Sequence, residues 1–351
     1  MTMCDHRAFG DVDALDVDQR LSHAHQFCTD HLSRIRRRAD ETYADHAAAV
    51  TTALEECMFN PSLLVVSLLH DIPLHPSGIE LLEHARLLPD ERRTIERWHR
   101  LRLKVQQHAD YDWPEWHLMR DPRLQLLAAA HHMVDLRNAS RIPAPRRSRF
   151  CRWVRCESIP RLRRAHLLGW AAEAEDRCFV VLEPDVALPL KERHDALWRS
   201  GRPCIESMVQ ELTQYLPLIA KAHCTISWRV KGLFSTHAKM MRKNLPFHHI
   251  HDVLGVRIIV PSTHACYGVL SWLHSQYRQV KRLFDDFIHA PKMSGYRSLH
   301  TVILLPSPSG PLPVEVQLRT EEMHWNNEYG TANHHEYKRR GLQMHHGYAA
   351  A

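Results

Sequence analysis

Two carboxylates, Asp252 and Glu315, stand where they could work as a pair. Asp252 directly precedes the β-branched run Val253 to Val260. Glu315 lies in VEVQLRT, whose strict alternation puts Val314, Val316 and Leu318 on one face of a strand and Glu315, Gln317 and Arg319 on the other. Two acids at strand positions can hold a hard cation such as Mg²⁺. Arg229, Lys231, Ser235 and Lys239 fall within eleven residues that cross from a strand into a helix start, and Arg257 lies inside the Val253 to Val260 strand. Cationic and hydroxyl groups so placed suit a polyphosphate. A third group, DDFIHAPKMSGYRSLHT, crowds Asp285, Asp286, Lys292, Tyr296, Ser298 and His300 into a loop leading into a strand. Loops of this kind bind ligands, and the tyrosine offers a π-face on which stacking a nucleobase is worth about 1–3 kcal/mol. Each feature has a plainer reading: a half-exposed strand, a solvated basic face, a packed core tyrosine.

The elements that must carry these groups follow from the chain's periodicity. From Val12 to about Leu182 apolar residues recur at three and four positions, in Ala47 to Leu54, Leu63 to Leu69, Leu124 to Leu136 and Leu167 to Ala174, so this half is expected to be all-α. Breaks fall at Asn60-Pro61, Pro73 to Gly78, Pro143 to Pro145 and Ile159-Pro160. The stretch Glu183 to Pro203, with Pro184, Pro189, Gly201 and Pro203, reads as a junction, placing domains at 1–200 and 201–345. Beyond it the order is a helix (Glu206 to Ala222), a strand (Cys224 to Val230), a helix (Ser235 to Lys243), the Val253 to Val260 strand and a helix near Cys266 to Gln279. Leu299 to Leu305 and Val314 to Leu318 follow as a hairpin joined by PSPSGPLP. The whole is expected to be α+β.

Composition narrows the class. With 351 residues, 44% hydrophobic and 25% charged, the chain can bury two ordinary cores. Its longest apolar stretch, Leu63 to Leu69, is far short of the roughly 20 residues of a spanning helix, and MTMCDHR lacks a secretory apolar core, so a cytoplasmic, non-membrane protein is expected. Nine cysteines without a CxxC pair suggest reduced thiols rather than a disulfide framework or zinc ribbon. A net charge of +6 that counts 29 histidines as neutral makes anionic partners plausible without naming one. No GxxxxGK[ST] loop occurs, which argues against a P-loop enzyme.

The pieces RVKGLFSTHAKM, HDVLGVRIIV, ACYGVLSWLH, DDFIHAPKMSGYRSLHT, VEVQLRT and MHWNNEYGTANHHEYK, in that order from Arg229 to Lys338, resemble the synthetase domain of the RelA/SpoT homologue family of alarmone enzymes. The resemblance implies a nucleotidyltransferase-like mixed sheet and Mg²⁺-dependent transfer of pyrophosphate from ATP to the 3′-hydroxyl of GDP or GTP. It makes Asp252 and Glu315 the metal-binding acids, with Glu315 also the base. Arg229, Lys231, Ser235, Lys239 and Arg257 fall to ATP. Tyr296 becomes the guanine-stacking residue, with Lys292 and His300 beside it, and Gln317, Arg319, His324 and Glu328 lie on the matching strand and helix. The chain departs from the family pattern at Ser294 (usually Asn), Trp228 (usually Gly) and Phe234 (usually Tyr), and Leu283-Phe284-Asp285-Asp286 keeps two acids but not the leading Glu. Ser294 leaves the acceptor base open.

The N-terminal half is similar to the same family's HD-type hydrolase domain, anchored on Tyr43-Ala44-Asp45-His46 and Leu68-Leu69-His70-Asp71. The resemblance implies an Mn²⁺ site of which His46, His70, Asp71 and His131 are the remnant, with His131 in place of a distal Asp. The Glu-Asp pair that positions water falls on Leu74 and His75, so hydrolysis is expected to be lost. Asp135 is the alternative distal ligand. The leading expectation is thus a (p)ppGpp synthetase with an inactive hydrolase domain, free of ribosome coupling, in a monomer or homo-oligomer. The alternatives are a toxin-like pyrophosphotransferase acting on adenine nucleotides or the tRNA 3′ end, a bifunctional synthetase/hydrolase, and a nucleotide sensor.

Overall fold

The computed structural model describes residues 16–57, 60–106, 121–220, 223–308 and 310–328. Of the sequence features above, Val12 to Leu15 and Tyr329 to Lys338 lie outside the described residues. The chain divides between Cys178 and Phe179 into two compact units. Among the described residues no helix is long and apolar enough to cross a membrane, and every cysteine is a free thiol.

The first unit is built on α1 (Val17–Leu32), α2 (Tyr43–Glu55), α3 (Pro61–Leu69), α4 (Pro89–Gln106), α5 (Pro122–Arg137), α6 (Ala144–Trp153), α7 (Ile159–Arg164) and α8 (Leu168–Leu182), the last running across the division. Local chemistry sets the starts. Thr42 and Asp45 form a reciprocal capping box on α2, while Asn60 and Asp121 cap α3 and α5, each followed by proline at the first helical position. Buried Leu63 to Leu69 make α3 a core helix on every face. The all-α expectation needs one correction: β1 (Arg36–Arg38) and β2 (Glu41–Thr42) form an antiparallel ribbon between α1 and α2. Cross-chain charge holds it, since Arg37 bonds Glu41 and Asp135 and Arg38 bonds Asp135. Three consecutive arginines gave no alternation from which to read a strand.

The second unit opens with α9 (Pro184–Ala220), a single 37-residue helix. The stretch read as a junction is therefore its first half, and the helix expected from Glu206 is its second. Proline usually breaks a helix, yet Pro189, Pro203 and Pro217 lie inside this one. Burial of Ala187, Leu190, Ile205, Met208, Leu212 and Leu216 along one stripe outweighs the lost backbone bonds.

Then follow β3 (Thr225–Val230), α10 (Leu233–Lys243), β4 (Leu254–Val260), α11 (Thr263–Gln276), β5 (Arg278–Gln279), β6 (Asp285–Asp286), β7 (Leu299–Leu305), β8 (Leu312–Thr320) and α12 (Glu321–Glu328). The helix expected to reach Gln279 stops at Gln276, and its last residues pair with β7 instead. The sheet runs β3-β4-β8-β7-β5, with β6 also on β7; β4 and β8 are parallel and the other pairs antiparallel, so the sheet is mixed. One face is the core, where Leu254, Val256, Ile258, Val314, Val316 and Leu318 pack with α9 and α11. The opposite face carries the polar residues.

Leu318 is fully buried in that layer between two polar residues of the site. Truncation to alanine is expected to lower unfolding stability by about 2–5 kcal/mol, read from the urea midpoint at unchanged slope. A loss below about 1 kcal/mol would contradict close packing there.

Candidate active site

Parallel pairing places Gly255 opposite Glu315, Arg257 opposite Gln317 and Ile259 opposite Arg319. The alternating pleat then directs Arg257, Glu315, Gln317 and Arg319 to one face. Antiparallel β7 adds His300 opposite Gln317. Edge strand β3 brings exposed Arg229 opposite Gly255.

Glu315 sits in a hydrogen-bonded chain. The Gln317 amide donates to Glu315 Oε2 at 2.7 Å while its carbonyl accepts from Arg319 at 2.8 Å. Arg319, only 3% exposed, also donates to the Tyr296 hydroxyl at 2.6 Å and to Glu328 at 3.1 Å. That hydroxyl also shares a hydrogen bond of 2.8 Å with His300 Nε2, and His300 Nδ1 faces Glu315 Oε1 at 3.4 Å. Burial alone would push the Glu315 carboxyl up, but His300 and then Gln317 reverse this and hold it below its ordinary 4.5. It is ionised at neutral pH.

Asp252 has the same logic with lysines. Lys231 and Lys239 converge on Asp252 Oδ2 at 3.1 and 2.7 Å, and they outweigh the effect of burial, keeping the carboxyl below its ordinary 3.8. Asp252 Oδ1 is buried with no hydrogen-bond partner among the described residues. An unmatched carboxylate oxygen beside a second carboxylate is a donor set that fits a hard divalent cation. Ser235 lies half-buried in the first turn of α10, with Lys239 one turn on, and α10 is anchored by Leu233 and Phe234 against Phe179 and Leu190. Arg257 reaches Glu328 at 3.2 Å, and burial together with nearby Arg319 pushes its guanidinium below the usual range. His324 Nδ1 lies 4.0 Å from Glu328.

Every sequence-predicted residue of this unit thus lies on or beside one face, with two differences. Tyr296 is not an open stacking platform. It is 5% exposed, with the Arg319 guanidinium 5.1 Å and the Lys292 ammonium 5.0 Å from its ring centre. Lys292 also lies 4.2 Å from the ring centre of Phe287, a residue the sequence did not single out, and burial lowers its pKa. The second difference is a clamp on the loop: Asn327 of α12 accepts from the Arg297 amide and donates to its carbonyl, while Gly295 at φ 81° makes the turn that glycine tolerates best. Asn327 falls in the MHWNNE run, but a lone Asn has no pattern that announces a brace. A cavity of about 430 Å³ opens elsewhere, past the ends of β4 and β8 between Pro261, Arg297, Thr320 and Asn327, and is lined by none of the predicted residues.

In the first unit α2, the end of α3 and α5 bring His46, His70 and His131 together, their ligand atoms all within 4.8 Å. His46 Nε2 lies 3.0 Å from His131 Nδ1, and His131 Nε2 lies 2.8 Å from His70 Nε2. Asp71 adjoins His70 Nε2 at 3.1 Å and pairs with Arg102. Asp135 is not part of this cluster, being taken by Arg37 and Arg38. Leu74 and His75 lie in and just after a short 3₁₀ turn beyond Asp71.

Residues 228–342 match a family model described as a region found in RelA/SpoT proteins. A probable chloroplastic GTP diphosphokinase of Oryza sativa subsp. japonica is 34% identical over 224 residues, 63% of this chain and 30% of that protein. The bifunctional (p)ppGpp synthase/hydrolase SpoT of Escherichia coli (strain K12) is 29% identical over 333 residues, 93% of this chain and 47% of that protein. The small alarmone synthetase 1 structure from Bacillus subtilis is 26% identical, covering 42% of this chain and 81% of that one at a TM-score of 0.37. The RelA/SpoT region thus occupies the second unit, and the chain spans less than half the length of the curated relatives it matches.

Replacing Asp252 by Asn strips two lysines of their counter-charge, and about 1–3 kcal/mol of stability is expected to go at neutral pH. Because the folded pKa is depressed, this contribution is present above 3.8 and disappears as pH falls through the lower folded value. Wild type and Asp252→Asn should therefore draw together in urea stability as pH falls below 3.8 and converge below the lower folded value. A difference that persists undiminished there would contradict the pairing.

Proposed function

We propose that this chain is a pyrophosphotransferase that moves the terminal diphosphate of ATP to the 3′-hydroxyl of GDP or GTP, with Mg²⁺ held by Asp252 and Glu315. The observation that carries the reading is the convergence of two ionised carboxylates, one with a free buried oxygen, and two lysines on a single face of a rigid sheet. The motif order, the family match and the names of the relatives support it.

In this scheme the acceptor 3′-oxygen attacks the β-phosphorus, the bond from that phosphorus to the α–β bridging oxygen breaks, and AMP leaves with the electron pair. The hydroxyl proton passes to Glu315, whose ionised state at neutral pH makes it available to receive it. Mg²⁺ would supply neutralisation of phosphate charge. Lys231 and Lys239 trade Asp252 for phosphate oxygens once the donor arrives, Ser235 binds beside them, and Arg229 and Arg257 serve the adenine end and the phosphates. Such transfer rests on positioning and charge rather than a protein nucleophile.

For the acceptor, Lys292 must swing off the Tyr296 ring before a guanine can stack there, and its lowered pKa favours that release from a half-desolvated place to a phosphate. Arg319, Gln317 and His300 fix Tyr296 and Glu315 relative to one another, while His324 and Glu328 close the far side. The helical unit is, in this reading, a degenerate HD-type domain. Leu74 and His75 supply no carboxylate to orient water, and general-base assistance is ordinarily worth about 10²–10⁴-fold.

Glu315→Gln keeps the shape and the Gln317 contact but removes the base and a metal ligand. Pyrophosphate transfer should fall by at least about 10²-fold while ATP binding, followed by calorimetry, changes little. Undiminished turnover in that variant would overturn the assignment.

A further inference from the structure

Charge in the helical unit is spread unevenly. Between Arg146 and Arg164 lie eight arginines, no lysine and a single acid, Glu157, an excess larger than the +6 of the whole chain. These residues form one rod, because α6 runs through a π-helical turn (Val154–Ser158) into α7 without leaving helical backbone angles. Its inner side is fixed by buried Phe150, Cys151, Val154, Ile159 and Leu162 and by a hydrogen bond of 3.1 Å between Ser158 and His132. Its outer side is left to arginine. Glu157 holds Arg161 at 2.8 Å and Glu175 holds Arg163, but Arg147, Arg149, Arg152 and Arg164 form no ion pair among the described residues, and the last three are exposed. Elsewhere in the unit Arg37, Arg38, Arg102, Arg123 and Arg137 each meet a carboxylate. Like charges three residues apart on a helix repel, and an anionic partner would relieve them.

We propose that this outer face of α6 and α7 docks on the phosphate backbone of duplex RNA. The four unpaired guanidinium groups are spread over about 25 Å of helix axis at a rise of about 1.5 Å per residue, too far for one nucleotide to bridge and matched by a polyanion that carries phosphates along that whole length. Arginine suits the task, since its planar fork pairs two phosphate oxygens where lysine offers a point charge. What the face lacks decides among polyanions. No large apolar side chain is exposed on it, so it has neither the anchors of a protein interface nor the apolar surface that an interfacial membrane helix buries. No aromatic ring is exposed there either, Trp153 being half-buried with its ring centre 4.8 Å from that of His132, so the bases of a single strand find nothing to stack on. A duplex remains. Because the inner half of the rod is packed in the core, the helix meets its partner from outside, which suits the wide, shallow minor groove of A-form RNA with its bordering phosphates and 2′-hydroxyls rather than deep entry into the major groove of B-form DNA. The inference stands apart from pyrophosphate transfer and survives or fails without it.

The test is fluorescence anisotropy of a labelled RNA duplex of about 20 base pairs titrated with the full chain between about 50 and 200 mM salt. Log affinity should fall linearly with log salt. Changing Arg147, Arg149, Arg152 and Arg164 together to Gln should lower affinity at least about tenfold at the low-salt end and reduce the slope by about 3–4, roughly one per lost phosphate contact. The same loss of charge at exposed Arg242, Lys243, Arg278 and Lys281 should leave both nearly unchanged. The matching DNA duplex and a single RNA strand should bind more weakly. Should the fourfold variant fail to fold, the wild-type chain decides through Cys156, an exposed thiol on the same rod, whose alkylation by a maleimide the RNA duplex should slow. Absence of RNA binding, equal affinity and slope in wild type and the folded fourfold variant, an equal loss in the control variant, equal or tighter binding of the DNA duplex or of polyglutamate, or alkylation of Cys156 at one rate with and without RNA would overturn it.

Discussion

Parallel pairing of β4 with β8, Gly255 against Glu315 and Ile259 against Arg319, is the constraint on which the candidate active site depends. Side chains alternate along a strand, so this one register sends Val314, Val316 and Leu318 into the layer beneath α9 and α11 and leaves Glu315, Gln317 and Arg319 above it. A slip by a single residue would bury the carboxylate and expose the core. Asp252, two residues before β4 begins, comes within electrostatic reach of Glu315, and Lys231, just past the end of β3, pairs with it.

Charge is then managed within that face by explicit pairing. Arg319, buried among Ser298, Tyr296, Gln317 and Glu328, would be prohibitively placed alone, yet each of its guanidinium nitrogens meets an acceptor. The chain of contacts runs on through Tyr296 and His300 to Glu315, so a group that would touch a nucleotide base and the group that would take the acceptor hydroxyl's proton share one framework. The exceptions among the described site residues are informative: Asp252 Oδ1, Arg257 Nε and His324 Nδ1 are buried without hydrogen-bond partners, and all three belong to residues proposed to serve substrate and cation.

Much of this was legible beforehand because it rests on period two. VEVQLRT and Val253 to Val260 announce their faces, and the mixed α+β organisation follows from the order of elements. What was not legible depends on tertiary contact. Pro189, Pro203 and Pro217 speak for breaks, and only the buried stripe of α9 overrides them. Tyr296 has the composition of a stacking platform, but its exposure is decided by Lys292 and Arg319, which sequence cannot place. Asp135 lies only four residues from His131 and is the alternative distal ligand in the sequence, but Arg37 and Arg38 of the ribbon claim it. Long-range pairing of that kind leaves no local trace.

The most direct test of the central claim is incubation of the purified chain with Mg²⁺ and γ-labelled ATP in parallel with GDP, GTP, ADP, ATP and deacylated tRNA, following which acceptor takes up label as a 3′-diphosphate. The account predicts label in GDP or GTP, with release of AMP in equal amount. Label confined to adenine nucleotides or tRNA would contradict the guanine assignment of the Tyr296 site, and no transfer to any acceptor would contradict the catalytic reading of Asp252 and Glu315.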